Sequence, residues 1–448
     1  MDSNLDDTIS DSSQESDDDF DSYYEEGEGE EEEEEKFPAI VLPDWKEIKS
    51  SQKPAWISDY TIEAGPRNLQ LNQTNKPYDF FNLMFPDCLF QNIMNWTNKK
   101  ASKDIDNRQR AKNKMKKWYP MDKKEMKAFV GILYVMGIIK LPNIILYWEK
   151  DSTLFSFAGI SVLFSRKRFS DIYTHLCLRD PNTKPENSKD RLFKINAFVN
   201  TIIEQSQKYY LPECEIVIDE SMIPFHGRNK LVQFMPLKPI RYGFKAFLLC
   251  EAKTGYVLGW KLFTGDPRDV DEDFGLTYKI VRTLCADLTG NNNILYTDRF
   301  CTGLQIYTDL KYLGIGACGT IQANRAQLSE EVSSRIKQLT PNEIVYFKSK
   351  QGLLLSCWKD SSVVMMLSNC YESGTAETTR RRKRKEIEKL ERERELENAS
   401  EEDPDVPDIE VKVKLNIPIS IYDYNKNMSG VDLFDQKAAY YGVLLRSH

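Results

Sequence analysis

Four carboxylates in this 448-residue chain have the spacing from which metal chemistry could be built. Asp219 closes a short apolar run, Glu215-Ile-Val-Ile-Asp219, and Asp298 closes another, Asn293-Ile-Leu-Tyr-Thr-Asp298. A carboxylate at the end of an apolar strand is costly to bury unless it is paired or bound to a cation. Two such strands lying side by side would bring both side chains to one edge of a sheet. Asp432 and Asp435 stand at i and i+3, so on a helix they share a face. Converging carboxylates are hard oxygen ligands suited to Mg²⁺ or Mn²⁺ and not to Zn²⁺. Two such ions about 4 Å apart activate an attacking oxygen and stabilise the leaving one in phosphodiester cleavage. The same residue types also cap turns and line solvated helix faces, and spacing alone leaves both readings open.

Other chemistries find less support. Gly314-Ile-Gly-Ala-Cys-Gly319 satisfies GxGxxG, but a helix-like segment precedes it and a β-compatible run passes through it, the reverse of a dinucleotide-binding context. The chain has no GxxxxGK[ST] phosphate loop. Its three histidines, His175, His226 and His448, give little basis for a Ser/His/Asp hydrolase. The nine cysteines are scattered without a CxxC pair, so no zinc site can be assembled, and they read as reduced thiols of an intracellular protein.

The elements that must position the acids are legible in the hydrophobic pattern. Phe80 to Trp96 and the region from Met126 to Tyr210 repeat apolar residues at helical spacing, as in Phe169, Ile172, Tyr173 and Leu176. Ala128 to Ile139 is the strongest apolar run. It is too short for a span of about 20 residues and reads as a buried helix. From Cys214 the order is β-β-β-α-β-α-β, with Lys253-Thr-Gly255 as a hairpin turn between Phe244–Cys250 and Tyr256–Phe263. Three strands able to pair antiparallel followed by alternating units predict an α/β fold with a mixed sheet. Three more strand-like runs come after them (344–347, 353–358, 363–367). A charged excursion from Arg380-Arg-Arg-Lys-Arg-Lys385 to Glu402 comes next, then a helix after Gly430. The expected organisation is an acidic disordered tail (1–36), an N-terminal region with a basic segment (37–124) and a helical dimerisation or DNA-binding region (125–213). After these come the core (214–325), an insertion with a charged, disordered stretch (326–417) and the acid-bearing helix (418–448).

The formal net charge of -8 averages two unlike parts. Residues 1–35 hold 18 of the 69 acidic residues and no Lys or Arg. This leaves 51 acidic against 61 basic residues behind them, a net +10. The leader cannot bury enough apolar surface to offset ordering entropy, and it would suit a basic partner. The basic body makes nucleic acid a reasonable ligand. Lys99 to Lys117 is either a phosphate-tracking stretch or the solvated face of a charged helix. The cluster at 380–385 reads equally as a nuclear-import patch or a solvated loop.

Several motifs in register resemble the piggyBac transposase family over residues 75–445. They are Ile218-Asp-Glu-Ser-Met-Ile-Pro-Phe-His-Gly-Arg228, Lys238-Pro-Ile-Arg-Tyr-Gly-Phe-Lys245, Lys253-Thr-Gly-Tyr-Val257 and Tyr296-Thr-Asp-Arg-Phe-Cys-Thr302. Gly319-Thr320, Trp358-Lys-Asp360 and Asn427-Met-Ser-Gly-Val-Asp-Leu-Phe-Asp-Gln436 continue in the family's order. The resemblance implies an RNase H-like core of the DDE/D class, with Asp219, Asp298 and Asp432 holding two Mg²⁺ or Mn²⁺ ions and Asp435 as an additional acid. It further implies nuclear cleavage and strand transfer on double-stranded DNA, typically at TTAA, by a protein that could act as a homodimer. Lys238, Arg241 and Lys245 flank this core and are expected to hold DNA phosphates, unless they form an ordinary exposed strand face. Arg299 and Gly303 depart from the family's pattern after the second acid, and Arg299 could compete for the charge of Asp298. The chain stops at His448, where family transposases continue into further dimerisation and DNA-binding helices and a zinc module. The resemblance therefore implies a C-terminal truncation. The competing expectations are a domesticated, non-catalytic DNA- or chromatin-binding protein that keeps the fold, and an acidic leader that binds a partner with the core as scaffold.

Overall fold

The computed structural model describes residues 43–442 except 51, 55, 58, 70–75, 111–117, 150–157, 184–189, 237 and 384–409. The acidic leader, most of the second half of the Lys99–Lys117 stretch and Arg384 to Glu402 of the charged excursion therefore lie outside the described residues.

Among the described residues, six α-helices build the N-terminal region: α1 (Pro77–Met84), α2 (Asp87–Arg110), α3 (Lys123–Ile138), α4 (Ala158–Leu163), α5 (Arg166–His175) and α6 (Asn196–Tyr209). Their apolar stripes meet in one cluster that includes Phe90, Met126, Phe129, Ile132, Phe169 and Ile172. Asp122 caps α3 by accepting from the Glu125 N–H, and Ser165 caps α5 in the same way from Arg168. The Arg168 guanidinium then clamps the Glu125 carboxylate with Nε and Nη2, at 2.6 and 2.7 Å, and lies 4.7 Å from the Trp118 ring. Part of the basic stretch is held internally. Lys99 pairs with Asp180 at 2.6 Å, and Lys100 donates to the carbonyls of Thr174 and Leu176. The apolar run at 128–139 is the body of α3, and no described helix is long and apolar enough to cross a membrane.

The short strands β1 (Lys46–Ile48), β2 (Gly65–Pro66) and β3 (Tyr210–Leu211) precede the core. The core opens with β4 (Glu215–Pro224), β5 (Val232–Phe234), β6 (Tyr242–Glu251) and β7 (Val257–Leu262). Next come α7 (Gly275–Leu284), β8 (Ile294–Thr297), α8 (Leu304–Tyr312) and β9 (Gly316–Thr320). The order agrees with the sequence pattern except for β5, a three-residue strand that the pattern did not show. β6 pairs antiparallel with β4, β5 and β7, whereas β4, β8 and β9 run parallel, as expected where helices α7 and α8 supply the crossovers. The arrangement is an RNase H-like mixed sheet.

Residues 326–417, read from the sequence as an insertion, begin with α9 (Glu330–Lys337) and then extend this same sheet. β10 (Ile344–Lys348), β11 (Leu354–Lys359) and β12 (Val363–Ser368) form a meander whose last strand pairs antiparallel with β9, giving the order β1-β10-β11-β12-β9-β8-β4-β6-β5. The next two strands, β13 (Thr375–Lys383) and β14 (Glu410–Pro418), pair antiparallel with each other as a separate ribbon. Arg380 to Lys383, expected in a helical or disordered excursion, are strand residues here. Their partners are Val413 to Glu410, distant in sequence, so no local pattern announces the pairing. Pro418 then leads straight into α10 (Ile419–Asn427) and α11 (Gly430–Tyr441). One face of the sheet buries Ile216, Ile218 and Phe247 against α7 and α8. The other buries Val217, Leu248 and Cys250 against Ile421 and Val431 of α10 and α11.

Candidate active site

Strand alternation sorts the residues of β4. Ile216, Ile218 and Glu220 face one side of the sheet; Val217, Asp219 and Ser221 face the other, toward α10 and α11. Parallel pairing ends with Ile218 opposite Thr297, so Asp298 follows the carboxyl end of β8, while Asp219, expected from the sequence to close its strand, lies beside it in the middle of β4, which runs on to Pro224 paired with β6. The end of β8 is the kind of place where open α/β sheets bind ligands. β9 ends alongside at Thr320.

The second acid is held by its own loop: Asp298 Oδ1 accepts from the N–H groups of Phe300 and Cys301, both at 3.1 Å. Arg325 Nη1 secures that loop from outside by donating to the carbonyls of Arg299 and Phe300, at 2.9 and 2.6 Å. Arg299, the departure from the family pattern, is an exposed side chain. Asp219 accepts from the Glu220 N–H at 2.8 Å. Burial pushes its carboxyl from the ordinary 3.8 up to about 6, with Asp298 and Glu220 adding to the rise, while that N–H and the Lys238 ammonium oppose it.

α11 supplies the other two acids, and they differ. Asp435 Oδ1 accepts from the buried Ser221 hydroxyl at 2.5 Å, tying the helix to β4; burial raises its carboxyl above the usual range. Asp432 is exposed in the first turn. The helix can approach this closely because two glycines meet. A Cβ on Gly255 would stand 2.9 Å from the Gly430 carbonyl oxygen, and one on Gly430 would stand 2.8 Å from the Glu251 carbonyl oxygen. Among the described residues, no three carboxylate, histidine or cysteine side chains stand together as a ready metal site. The donor set fits Mg²⁺ or Mn²⁺ in kind, offering oxygen ligands, one of them a carboxylate that burial disfavours without a cation.

The three basic candidates separate. Lys238 Nζ donates to the Glu220 carbonyl at 3.2 Å, and its charge acts on both Asp219 and Asp435. Arg241 is exposed. Lys245 lies on the opposite face, paired with Glu220 at 2.6 Å and set 4.6 Å from the Phe300 ring centre. Its ammonium is committed inside the protein. Tyr424 of α10 is a residue that spacing did not single out: its phenol, pushed up to about 12 chiefly by burial, feels the charges of both Asp298 and Asp219. Only the paired face of α10 could have signalled it.

The family model described as Transposase IS4 matches residues 76–448. Human PiggyBac transposable element-derived protein 3 is 27% identical over 255 residues, covering 55% of this chain and 42% of that protein. Human PiggyBac transposable element-derived protein 2 is 24% identical over 306 residues, covering 66% and 49%. The chain thus spans roughly half the length of these curated relatives. The fold is similar, with a TM-score of 0.64 and 21% identity over 85% of this chain and 71% of the other, to a piggyBac transposase solved by cryo-EM in a synaptic complex with hairpin DNA. With Asp219 and Asp298 on adjacent parallel strands and a family match over most of its length, the chain belongs to the piggyBac-type Transposase IS4 family.

Proposed function

We propose that this chain is a DDE/D-type nuclease and strand-transferase that cuts double-stranded DNA in the nucleus at TTAA-type sites. The observation that carries the reading is the neighbouring pair Asp219 and Asp298, with the acid-bearing α11 docked across the same face. Asp219, Asp298 and Asp432 would hold Mg²⁺ or Mn²⁺, which when bound activates an attacking oxygen and offsets charge on the leaving one. Asp435 keeps α11 seated through Ser221. The half-buried Lys238 sets a positive charge beside the acids, and the exposed Arg241 is free to meet a phosphate. A homodimer and a basic partner for the acidic leader remain part of this reading.

A second reading, a DNA-binding protein that keeps the fold without catalysis, is favoured by one observation: Asp432 is exposed rather than gathered with the other acids. The two separate in one assay. Purified protein is incubated with labelled TTAA-containing duplex and Mg²⁺ or Mn²⁺. Metal-dependent nicking lost in Asp219→Ala, Asp298→Ala and Asp432→Ala supports the enzyme. Binding without nicking at either ion selects the second reading.

A further inference from the structure

We infer that the β5–β6 hairpin carries a stacking platform for unpaired DNA bases, built on Phe234 and Tyr242. The inference rests on the proposed function in one respect, that the ligand is DNA. Phe234 and Tyr242 stand directly opposite each other across the strand pairing, their ring centres 4.6 Å apart. They are 54% and 53% exposed, although large aromatic side chains are those whose burial contributes most to a core. Two such rings side by side in water mark an interaction surface.

Register places the platform on the face that bears the acids. Asp219, Ser221 and Ile223 alternate toward the same side of β4, and Ile223 stands opposite Phe244. Phe244 and Tyr242 share a face of β6, as their partners Val232 and Phe234 do of β5. Ile223 is itself 39% exposed, so the apolar surface continues from the platform toward Ser221. Tyr242 lies six residues along β6 from Leu248, the partner of Asp219, which is at most ~20 Å at the rise of an antiparallel strand. The connection between the two rings, residues 235–241, carries Lys238, whose ammonium donates to the Glu220 carbonyl. The platform and the acids are thus parts of one surface.

Charge selects the occupant. From Ile223 to Phe244 the chain has four basic residues, Arg228, Lys230, Lys238 and Arg241, and no acidic one. Arg228, Lys230 and Arg241 are exposed. An apolar protein partner would need none of them. Exposed rings beside exposed cations are instead how a single strand is held, with bases on the rings and phosphates on the charges. In a duplex each base face is covered by its neighbours, so only an unpaired base can lie flat on Phe234 or Tyr242. A reach of ~20 Å corresponds to about six base steps at ~3.4 Å, and to fewer in a stretched strand. Bases a few nucleotides from the phosphate at the acids are the ones placed to stack.

The test uses the full chain in EDTA, so that no cleavage is needed. Binding of a labelled single strand and of a duplex of the same length is read by fluorescence anisotropy against salt. The variants are Phe234→Ala and Tyr242→Ala, with Phe234→Tyr and Tyr242→Phe keeping the rings. Each alanine should weaken single-strand binding about fivefold to a hundredfold, the usual contribution of one stacked base, and change duplex binding less than about twofold. The ring-keeping variants should bind like the parent. The salt slope should stay as it was in the alanine variants, since a ring releases no counterion, and fall by about 0.7 in Arg241→Gln. Unchanged single-strand binding overturns the inference, as does an equal loss on the duplex. So does an alanine variant that only turns a dimer into a monomer in sedimentation, which would make the face a contact between copies. If the alanine variants fail to fold, the unaltered protein decides. A bromouracil-substituted strand should cross-link under ultraviolet light to the peptide holding Phe234 or Tyr242, and cross-links confined to other peptides overturn the inference. Asp219→Asn separates the platform from the proposed function, since it should abolish nicking and leave single-strand affinity as it was. A parent that never nicks removes the nuclease and leaves the platform judged by binding.

Discussion

The Ser221 hydroxyl donates to Asp435 Oδ1 at 2.5 Å and so joins the central strand β4 to the acid-bearing helix α11. Ser221 is 3% exposed, so its loss leaves a partly buried carboxylate short of a donor. Hydrogen bonds to charged groups contribute about 1.5–3 kcal/mol. Ser221→Ala should lower unfolding stability by that amount, and Asp435→Asn by less, since an amide oxygen still accepts. A double-mutant cycle in guanidinium checks this; additive effects would show that the bond couples nothing.

Lys245 and Glu220 form a pair of a different kind. Their side chains are 13% and 11% exposed, and Lys245 also lies near the Phe247 and Phe300 rings. Breaking a buried pair from one side costs about 3–5 kcal/mol, because the remaining charge has no partner. Lys245→Met or Glu220→Gln alone should therefore destabilise strongly, and Lys245→Met with Glu220→Leu should recover most of the loss. The salt dependence of DNA binding should stay as it was. A flatter salt slope with unchanged stability would return Lys245 to the phosphate contacts.

That pair marks the limit of what the chain discloses by itself. Asp219 and Asp298 were legible because an apolar run ending in a carboxylate is a local pattern, and so were the strands and helices from β4 to β9 apart from short β5 and the half of β4 beyond Asp219, whose residues pair with the distant β6. Lys245 read as exposed because its partner lies across the strand pairing, on a face set by register. Arg380–Lys383 hid their strand character for a similar reason: a charge run masks alternation, and β14 lies far along the chain. Tyr424 reaches the site only through the packing of α10.

Gly255 joins two constraints at one position. Its φ of +68° lies in the left-handed region, and a Cβ there would stand 2.9 Å from both the Gly430 oxygen and the Phe434 nitrogen. The conformation alone costs a non-glycine residue about 1–2 kcal/mol. The clash with backbone adds to it, and neither group can move without lifting α11. Gly255→Ala should cost more than about 2 kcal/mol by these terms and expose α11 to proteolysis. Limited proteolysis read by mass spectrometry would detect the change; an unaltered cleavage pattern would mean that the turn yields instead.

Asp219 makes the sharpest pH prediction. Its carboxyl stands near 6 in the folded chain against an ordinary 3.8, so between those values the folded state keeps a proton that the unfolded state has lost. Stability therefore falls as pH rises through this window. The loss is absent below about pH 4 and complete above about pH 6. Two pKa units correspond to roughly 3 kcal/mol, and the partial exposure of the group brings the expected effect to about 2. Asp219→Asn removes the charge at every pH. Without divalent ions it should match the parent in guanidinium melts at about pH 4 and exceed it by about 2 kcal/mol at about pH 7. A difference that stays constant across that range would show that the carboxylate is not strained by burial, and with it would go the physical argument that this position is built to receive a cation.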